Sequence, residues 1–186
     1  MGRVRGSVYC TASFSDCSRP RTELPIIYHL CRLSPRLQTC NTAVGDALGT
    51  TLEFKPPGTF KPVTDMVGGG PFGQKPGQWT DDTSMALCLA ESIIEKRGFD
   101  PKDQMDGYCR GWKEGHLSNT ETCFDIGITV KTALASYLRS GDPFAGSTDP
   151  FTAGNGSLMR LAPVVLAFRR SFEWGAAMCA CLNCKS

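Results

Sequence analysis

The sequence predicts an all-α domain, and three observations carry that expectation. Apolar residues recur at helical spacing in Met85, Leu89 and Ile93 and again in Ile126, Val130, Leu134 and Leu138, the rhythm that lines up one face of a helix. Start and stop signals bracket such runs, with Thr80 and Asp100-Pro101 at candidate starts and Gly98 and Gly115 at candidate ends. Between residues 42 and 170 no stretch alternates apolar and polar residues as a half-buried strand does.

Taken in order, residues 1–40 carry six Arg against one Asp and one Glu and hold no helical or alternating period for two turns, so this stretch is expected to be disordered. An unrelated segment is favoured over a basic tail that binds something. Only Thr42-Ala43-Val44 reads as the close of a first helix, ending at Gly45-Asp46-Ala47-Leu48-Gly49. From Pro56 to Gln78 glycine and proline are too dense for a regular element, and a loop of that length in a compact domain is usually functional.

A long helix then runs from Thr80 to Arg97 and stops at Gly98, with Ala86, Ala90 and Ile94 beside its apolar stripe. Asp100-Pro101 starts the next, with Met105, Tyr108, Cys109 and Trp112 facing inward and Gly115 ending it. A third begins at Asp125 or Ile126 and reaches Leu138, where Gly127 and Ala133 are expected to let neighbouring helices approach. After a Gly-, Ser-, Thr- and Pro-rich loop to Thr152, Met159 to Phe168 reads as an apolar helix with Pro163 in its first turns.

A chain of 186 residues fits one domain and at that size can bury roughly 70% of its unfolded surface. A net charge of +2 argues for neither nucleic acid nor an anionic membrane surface. The apolar stretch Leu24–Cys31, broken by Pro25 and His29, falls short of the ~20 residues a membrane helix needs, so neither anchor nor signal peptide is expected. The ten cysteines do not read as a disulfide framework, because Cys88 and Cys123 sit in apolar contexts where free cysteine acts as a small hydrophobe. Cys179, Cys181 and Cys184 lack a convincing fourth ligand for zinc. A reducing, cytoplasmic compartment and a monomer are the expectations.

Trp79-Thr80-Asp81-Asp82-Thr83 places two adjacent carboxylates between hydroxyls at the mouth of a helix. One acid would suffice to cap the free N–H groups there. Read alone, the cluster is either a set of hard oxygen ligands for Mg2+ or Mn2+, the favoured reading, or a cap with solvated acids. Gly154-Asn155-Gly156-Ser157, opening a helix, offers side-chain-free backbone and N–H groups to a phosphate, or simply a tight turn and N-cap. Glu53 by itself is an ordinary acid, and Asp46 is favoured as a structural carboxylate satisfying backbone or hydroxyl donors near the site.

Together with Val44-Gly45-Asp46-Ala47-Leu48-Gly49, Leu52-Glu53-Phe54 and Gly154-Asn155-Gly156-Ser157-Leu158-Met159-Arg160, the Thr80 block resembles the ADP-ribosylglycohydrolase family in order and spacing. The resemblance covers residues 42–170 and implies an ADP-ribosylglycohydrolase-like helical bundle, with 171–186 a divergent tail. It implies a binuclear Mg2+ or Mn2+ hydrolase of the glycosidic bond between ADP-ribose and a protein side chain or another leaving group. Thr80, Asp81 and Asp82 then belong to the metal set, Glu53 and Asp82 to catalysis, and Gly154, Asn155, Gly156, Ser157, Asp125 and Gly127 to the substrate site. The family's C-terminal Asp-x-Asp-Thr block has no counterpart, Glu173 being the only acid after Phe168. The expectation is therefore a bundle incomplete at the C-terminus, weakly active or inactive, with apolar helix faces left uncovered. A non-catalytic ADP-ribose-binding module is the alternative, and a cysteine-rich structural protein the third reading.

Overall fold

The computed structural model describes residues 35–152 and 154–168, with no account of the side chains of residues 35–41 and 150. Among the described residues five helices account for the fold: α1 (Pro35–Gly49), α2 (Asp81–Lys96), α3 (Pro101–Glu114), α4 (Ile128–Ser140) and α5 (Ala162–Phe168). Single 3-10 turns follow at Thr50–Leu52 and Pro150–Thr152. Among the described residues extended pairing is confined to one antiparallel bridge, Gly69 with Gln74, so the all-α expectation holds. No described helix is long and apolar enough to cross a membrane.

Helix α2 is the hub, packing on α3, α5 and α1, while α3 also packs on α4. Its stripe of Met85, Cys88, Leu89 and Ile93 forms one core with Tyr108 and Cys109 of α3, Val130, Leu134 and Tyr137 of α4 and Val164 of α5. Leu89 and Val164 are wholly buried. At about 1.5–3 kcal/mol for each large aliphatic side chain taken from water, such contacts hold α2 far more firmly than its helix propensity does. Cys88 is free and buried as expected, and burial pushes its thiol up to about 12, whereas Cys123, expected to be buried likewise, is free but only half-buried.

Local chemistry explains the helix ends. Thr80 caps α2, its side chain accepting from Asp82 N, and Asp100 caps α3 by accepting from Asp103 N with Pro101 at the first position. The left-handed residue closing α2 is Arg97, with φ 54°, one position before the predicted Gly98. Gly115 ends α3 as the sequence predicts.

Four expectations need correction. The first helix starts at Pro35 rather than inside residues 41–49, because a proline is preorganised for a helix start and Arg36, Leu37 and Gln38 are good helix formers. Helix α4 begins at Ile128, later than Asp125 or Ile126, since Asp125 (φ 52°) and Gly127 (φ 71°) both leave the helical region. Its buried stripe consequently turns through Val130, Leu134 and Tyr137, leaving Leu138 46% exposed, and a Cβ on Gly127 would meet nothing, so no helix approaches there. Ile94, expected beside the core, is 74% exposed. The Gly154 block opens turns rather than a helix; α5 starts at Ala162, where Pro163 needs no intrahelical partner. Expectations for residues 1–34, for the Cys40 side chain and for residues 169–186, with Cys179, Cys181 and Cys184, lie outside the described residues.

Gly156 marks the tightest seam between this turn and α4: a Cβ there would lie 2.6 Å from Val130 Cγ2. Val130 is buried and β-branched, so it has little room to rotate away. Gly156→Ala is expected to destabilise the fold by about 1–3 kcal/mol. Gly154→Ala, whose Cβ would stand 3.5 Å from Thr129 Oγ1, is expected to be nearly neutral; urea unfolding of both variants checks the contrast.

Candidate active-site cleft

Asp46, on the last turn of α1, assembles the site by capping another helix. Its Oδ1 accepts from Thr80 Oγ1 at 2.9 Å, and its Oδ2 accepts from Thr80 N at 3.0 Å, Thr83 N at 3.1 Å and Thr83 Oγ1 at 2.7 Å. Two backbone N–H groups and two buried hydroxyls at the start of α2 are thus satisfied by one carboxylate from a distant stretch of chain. This is the structural role that the sequence predicts for Asp46. The approach to α2 is held from the other side by Asn119 Nδ2, which donates to Trp79 O at 2.7 Å.

So anchored, the first turn of α2 delivers Thr80, Asp81 and Asp82 to the wall of a cavity of about 760 Å3. Asp46, Glu53 and Asp125 share that wall. Glu53 follows the Thr50–Leu52 turn and Asp125 precedes α4. A ladder of aromatic rings fixes their spacing. Phe54 meets Phe72 edge-on at 6.3 Å, and Phe72 meets Phe124 at 5.5 Å. The Gly-rich loop therefore wedges Phe72 between the residue after Glu53 and the residue before Asp125. It is tied down where Thr51 Oγ1 donates to Gly68 O and where Gly70, at φ 70°, lies so close to Thr50 O that a Cβ would sit 2.5 Å away. Phe54 (φ 61°) and Asp125 (φ 52°) adopt the left-handed conformation that side chains disfavour, a strain of the kind found where a site dictates backbone geometry.

The rest of the lining is neutral. Gly154, Asn155, Gly156 and Met159 contribute to it with Gly127, Ile128 and Thr129 at the start of α4. No side chain caps α4 and no acid lies in its first turn, so its N–H groups remain free to face an anion. Ser157, also predicted for the substrate site, is instead buried at 5% exposure and is not among the cavity-lining residues. The cleft thus brings together Glu53, Thr80, Asp81, Asp82, Asp125, Gly127, Gly154, Asn155 and Gly156 from the predicted set. Sequence reasoning missed Phe72 and Asn119. Phe72, an aromatic that follows Gly68-Gly69-Gly70-Pro71 in the Gly-rich loop, was the signal available.

Electrostatics sets this wall against itself. Burial, then Asp82 and Asp125, push Asp81 up to about 8. Burial, then Asp46 and Asp125, push Asp82 up to about 6. Burial, then the charge and hydrogen bond of Asp125, raise Glu53 to about 7, and burial raises Asp125 as well. The α2 dipole favours acids at its start by only about 0.3–1 kcal/mol each, so desolvation and mutual repulsion win. Among the described residues no Lys, Arg or His lines the cavity to balance them. Among the described residues no three Asp, Glu, His or Cys side chains already stand in metal-ligand geometry.

Comparison with known proteins decides the family. Residues 41–183 match the ADP-ribosylglycohydrolase family. The chain belongs to it. The match runs past residue 170 into the stretch that the sequence reading set apart as divergent. Over 131 residues the chain is 49% identical to an ADP-ribosylarginine hydrolase of Serratia proteamaculans, covering 70% of this chain and 36% of that one. It is 36% identical over 132 residues to the ADP-ribosyl-[dinitrogen reductase] glycohydrolase of Rhodospirillum rubrum, covering 67% and 41%. A solved structure of an ADP-ribosylglycohydrolase-related protein complex aligns with TM-score 0.66 at 47% identity, over 80% of this chain and 48% of that one. The ADP-ribosylglycohydrolase-like fold is therefore shown, and the chain spans less than half the length of these relatives.

Two outcomes follow for this site. Asp46→Ala leaves buried donors of Thr80 and Thr83 unpaired and is expected to cost about 3 kcal/mol of stability, read by urea unfolding. The raised carboxylates hold protons in the folded state that the unfolded chain has already released, so stability is highest at low pH and falls as pH rises. In EDTA the melting temperature should decline from about pH 4 to pH 8, the window bounded by the ordinary values and by Asp81 near 8, and Asp81→Asn should flatten that decline.

Proposed function

We propose that this chain carries the catalytic wall of a hydrolase that cleaves the glycosidic bond of ADP-ribose on a protein side chain, with arginine the favoured attachment. The observation that carries this reading is that five carboxylates and an unencumbered glycine turn line one cleft. The likeness to the Serratia and Rhodospirillum enzymes supplies the substrate class.

The donor set fits a hard divalent cation. Thr80, Asp81 and Asp82 come from one turn, Glu53 and Asp125 line the same cavity, and their raised protonation reports a negative charge without a counter-ion. Mg2+ or Mn2+ would be held by Thr80, Asp81 and Asp82, two ions being expected in the complete site, and would supply polarisation of ribose oxygens and of water when bound. Thr80 Oγ1 donates its proton to Asp46, which turns its remaining lone-pair density toward a ligand role.

The residues of the chain divide the remaining tasks. The Gly154–Gly156 turn and the free start of α4 receive the diphosphate, where no side chain blocks approach and no acid repels it. Glu53, with its carboxyl near neutrality, can exchange a proton at the working pH and orients water toward the anomeric carbon. Asp82 holds its position on α2 through the Thr80 cap. Asp46 acts only through Thr80 and Thr83.

A second reading, a module that binds ADP-ribose without cleaving it, is favoured by the absence of a ready three-residue metal group among the described residues. One experiment separates the two. The full chain is incubated with an ADP-ribosylated arginine peptide and Mg2+ or Mn2+, release of ADP-ribose is followed by mass spectrometry, and calorimetry measures binding of free ADP-ribose. Cation-dependent release that falls about 100-fold or more in Asp82→Asn is expected. Binding without release would establish the module instead, and neither binding nor release would sink both.

A further inference from the structure

Arg160, Tyr108 and Gln104 meet around a second cavity that the cleft does not use. It lies between α3, the first half of α4 and the loop at 143–147, has a volume of about 70 Å3, and among the described residues is lined by no charged side chain except Arg160. The three side chains are 8%, 3% and 3% exposed. Each presents a buried atom with no hydrogen-bond partner: Arg160 Nε, Tyr108 OH and Gln104 Nε2. The guanidinium lies over the Tyr108 ring at 4.8 Å from its centre, which eases its charge but satisfies none of its N–H groups.

All three orphans are donors. A guanidinium and an amide nitrogen only donate, and burial keeps the Tyr108 phenol protonated, its pKa raised to about 12. A buried polar group left unpaired costs about 1–3 kcal/mol, so three in one place form a debt that marginal folds do not carry without a return. With about 30 Å3 per water, the cavity takes roughly two waters or one small polyatomic ion. Water pairs the donors but leaves the guanidinium without an anion. Apolar neighbours such as Phe99, Val130, Leu134 and Phe144 lower the local polarity and so strengthen the attraction for a negative charge.

We propose that this cavity is a binding site for a small oxyanion, of the size of phosphate or smaller, held by Arg160, Tyr108 and Gln104. The site is separate from the acidic cleft yet adjoins it. Thr129 and Val130 line both cavities, and Arg160 follows directly on the Asn155–Met159 turn that forms the neutral wall. An anion seated here ties that turn to α3 from behind and steadies the wall without entering the cleft.

Thermal unfolding of the full chain tests this with inorganic phosphate as the probe, against chloride at equal ionic strength and in EDTA. Phosphate is expected to raise the melting temperature by about 3 °C or more at saturation. Tyr108→Phe removes the hydroxyl and keeps the ring. It should melt no lower than the parent in chloride, because an unpaired buried group is gone, yet lose at least half of the phosphate shift. Gln104→Leu should lose a similar share, while Asn155→Ala, which alters only the cleft, should keep the whole shift. Equal melting in the two salts overturns the proposal. So does a shift that Tyr108→Phe and Gln104→Leu retain in full, or one that Asn155→Ala abolishes, which would move the anion into the cleft.

Discussion

One carboxylate, Asp46, joins the first helix to the second and thereby decides where Asp81 and Asp82 stand in the cleft. A helix start normally satisfies its own free N–H groups with a local side chain, and Thr80 does so only weakly, accepting from Asp82 N at 3.4 Å. The stronger part of the cap arrives in trans, as four hydrogen bonds to a charged acceptor. With the start of α2 capped by Asp46, Asp81 and Asp82 line the cavity, Asp81 keeping a hydrogen bond to its own backbone, and the Thr80 hydroxyl is held in a defined orientation by Asp46.

The cost of that freedom is electrostatic. Asp46, Glu53, Asp81, Asp82 and Asp125 crowd one wall, and burial together with their mutual repulsion drives three of them toward neutrality near physiological pH. Such a wall survives because elements remote from it are well packed. Helix α2 is pinned by wholly buried Leu89 and by a core drawn from α3, α4 and α5, and the Phe54, Phe72 and Phe124 rings join the segments that carry the two outlying acids. Stability lost at the site is recovered in the core, the usual division in a fold that keeps a charged cleft.

How far this was legible in the sequence varies with the origin of each feature. Helices α2 and α3 were readable because their caps are local: Thr80, Asp100-Pro101 and Gly115 act within one turn of the residues they organise. Asp46 was readable as structural for a similar reason, since a lone acid between glycine and a short apolar run has few other partners. The start of α4 was not, because Ile126 continues the apolar period of the helix while the backbone at Asp125 and Gly127 has left it. Only the tertiary demand that Asp125 face Glu53 explains that break. The turn after Gly154 misled for the converse reason: small residues before an apolar run read as a cap, whereas Gly156 is needed for its contact with Val130 and the helix waits until Ala162. The orphaned donors around Arg160 come from three separated segments, and no spacing rule brings them together.

The two walls of the cleft gain meaning from being unlike. A ligand that carries a diphosphate would be repelled by five carboxylates if it lay along them, and a ligand without charge would have no use for the bare start of α4. Under the proposed function, a molecule with anionic phosphates at one end and a ribose of neutral hydroxyls at the other would match both parts of the lining in a single orientation. Its phosphates would lie against Gly154–Gly156 and its reacting carbon would turn toward Glu53 and Asp82. Reversal would put phosphate against carboxylate without an intervening cation, and at contact distances even a well-screened pair of like charges opposes binding by about 1 kcal/mol, more where burial has thinned the solvent. Orientation is therefore set by charge before any close contact forms. The same asymmetry explains why the glycine wall must be rigid: it has no charge of its own with which to correct a misplaced ligand, so it depends on the packing of Gly156 on Val130 to hold its N–H groups in place.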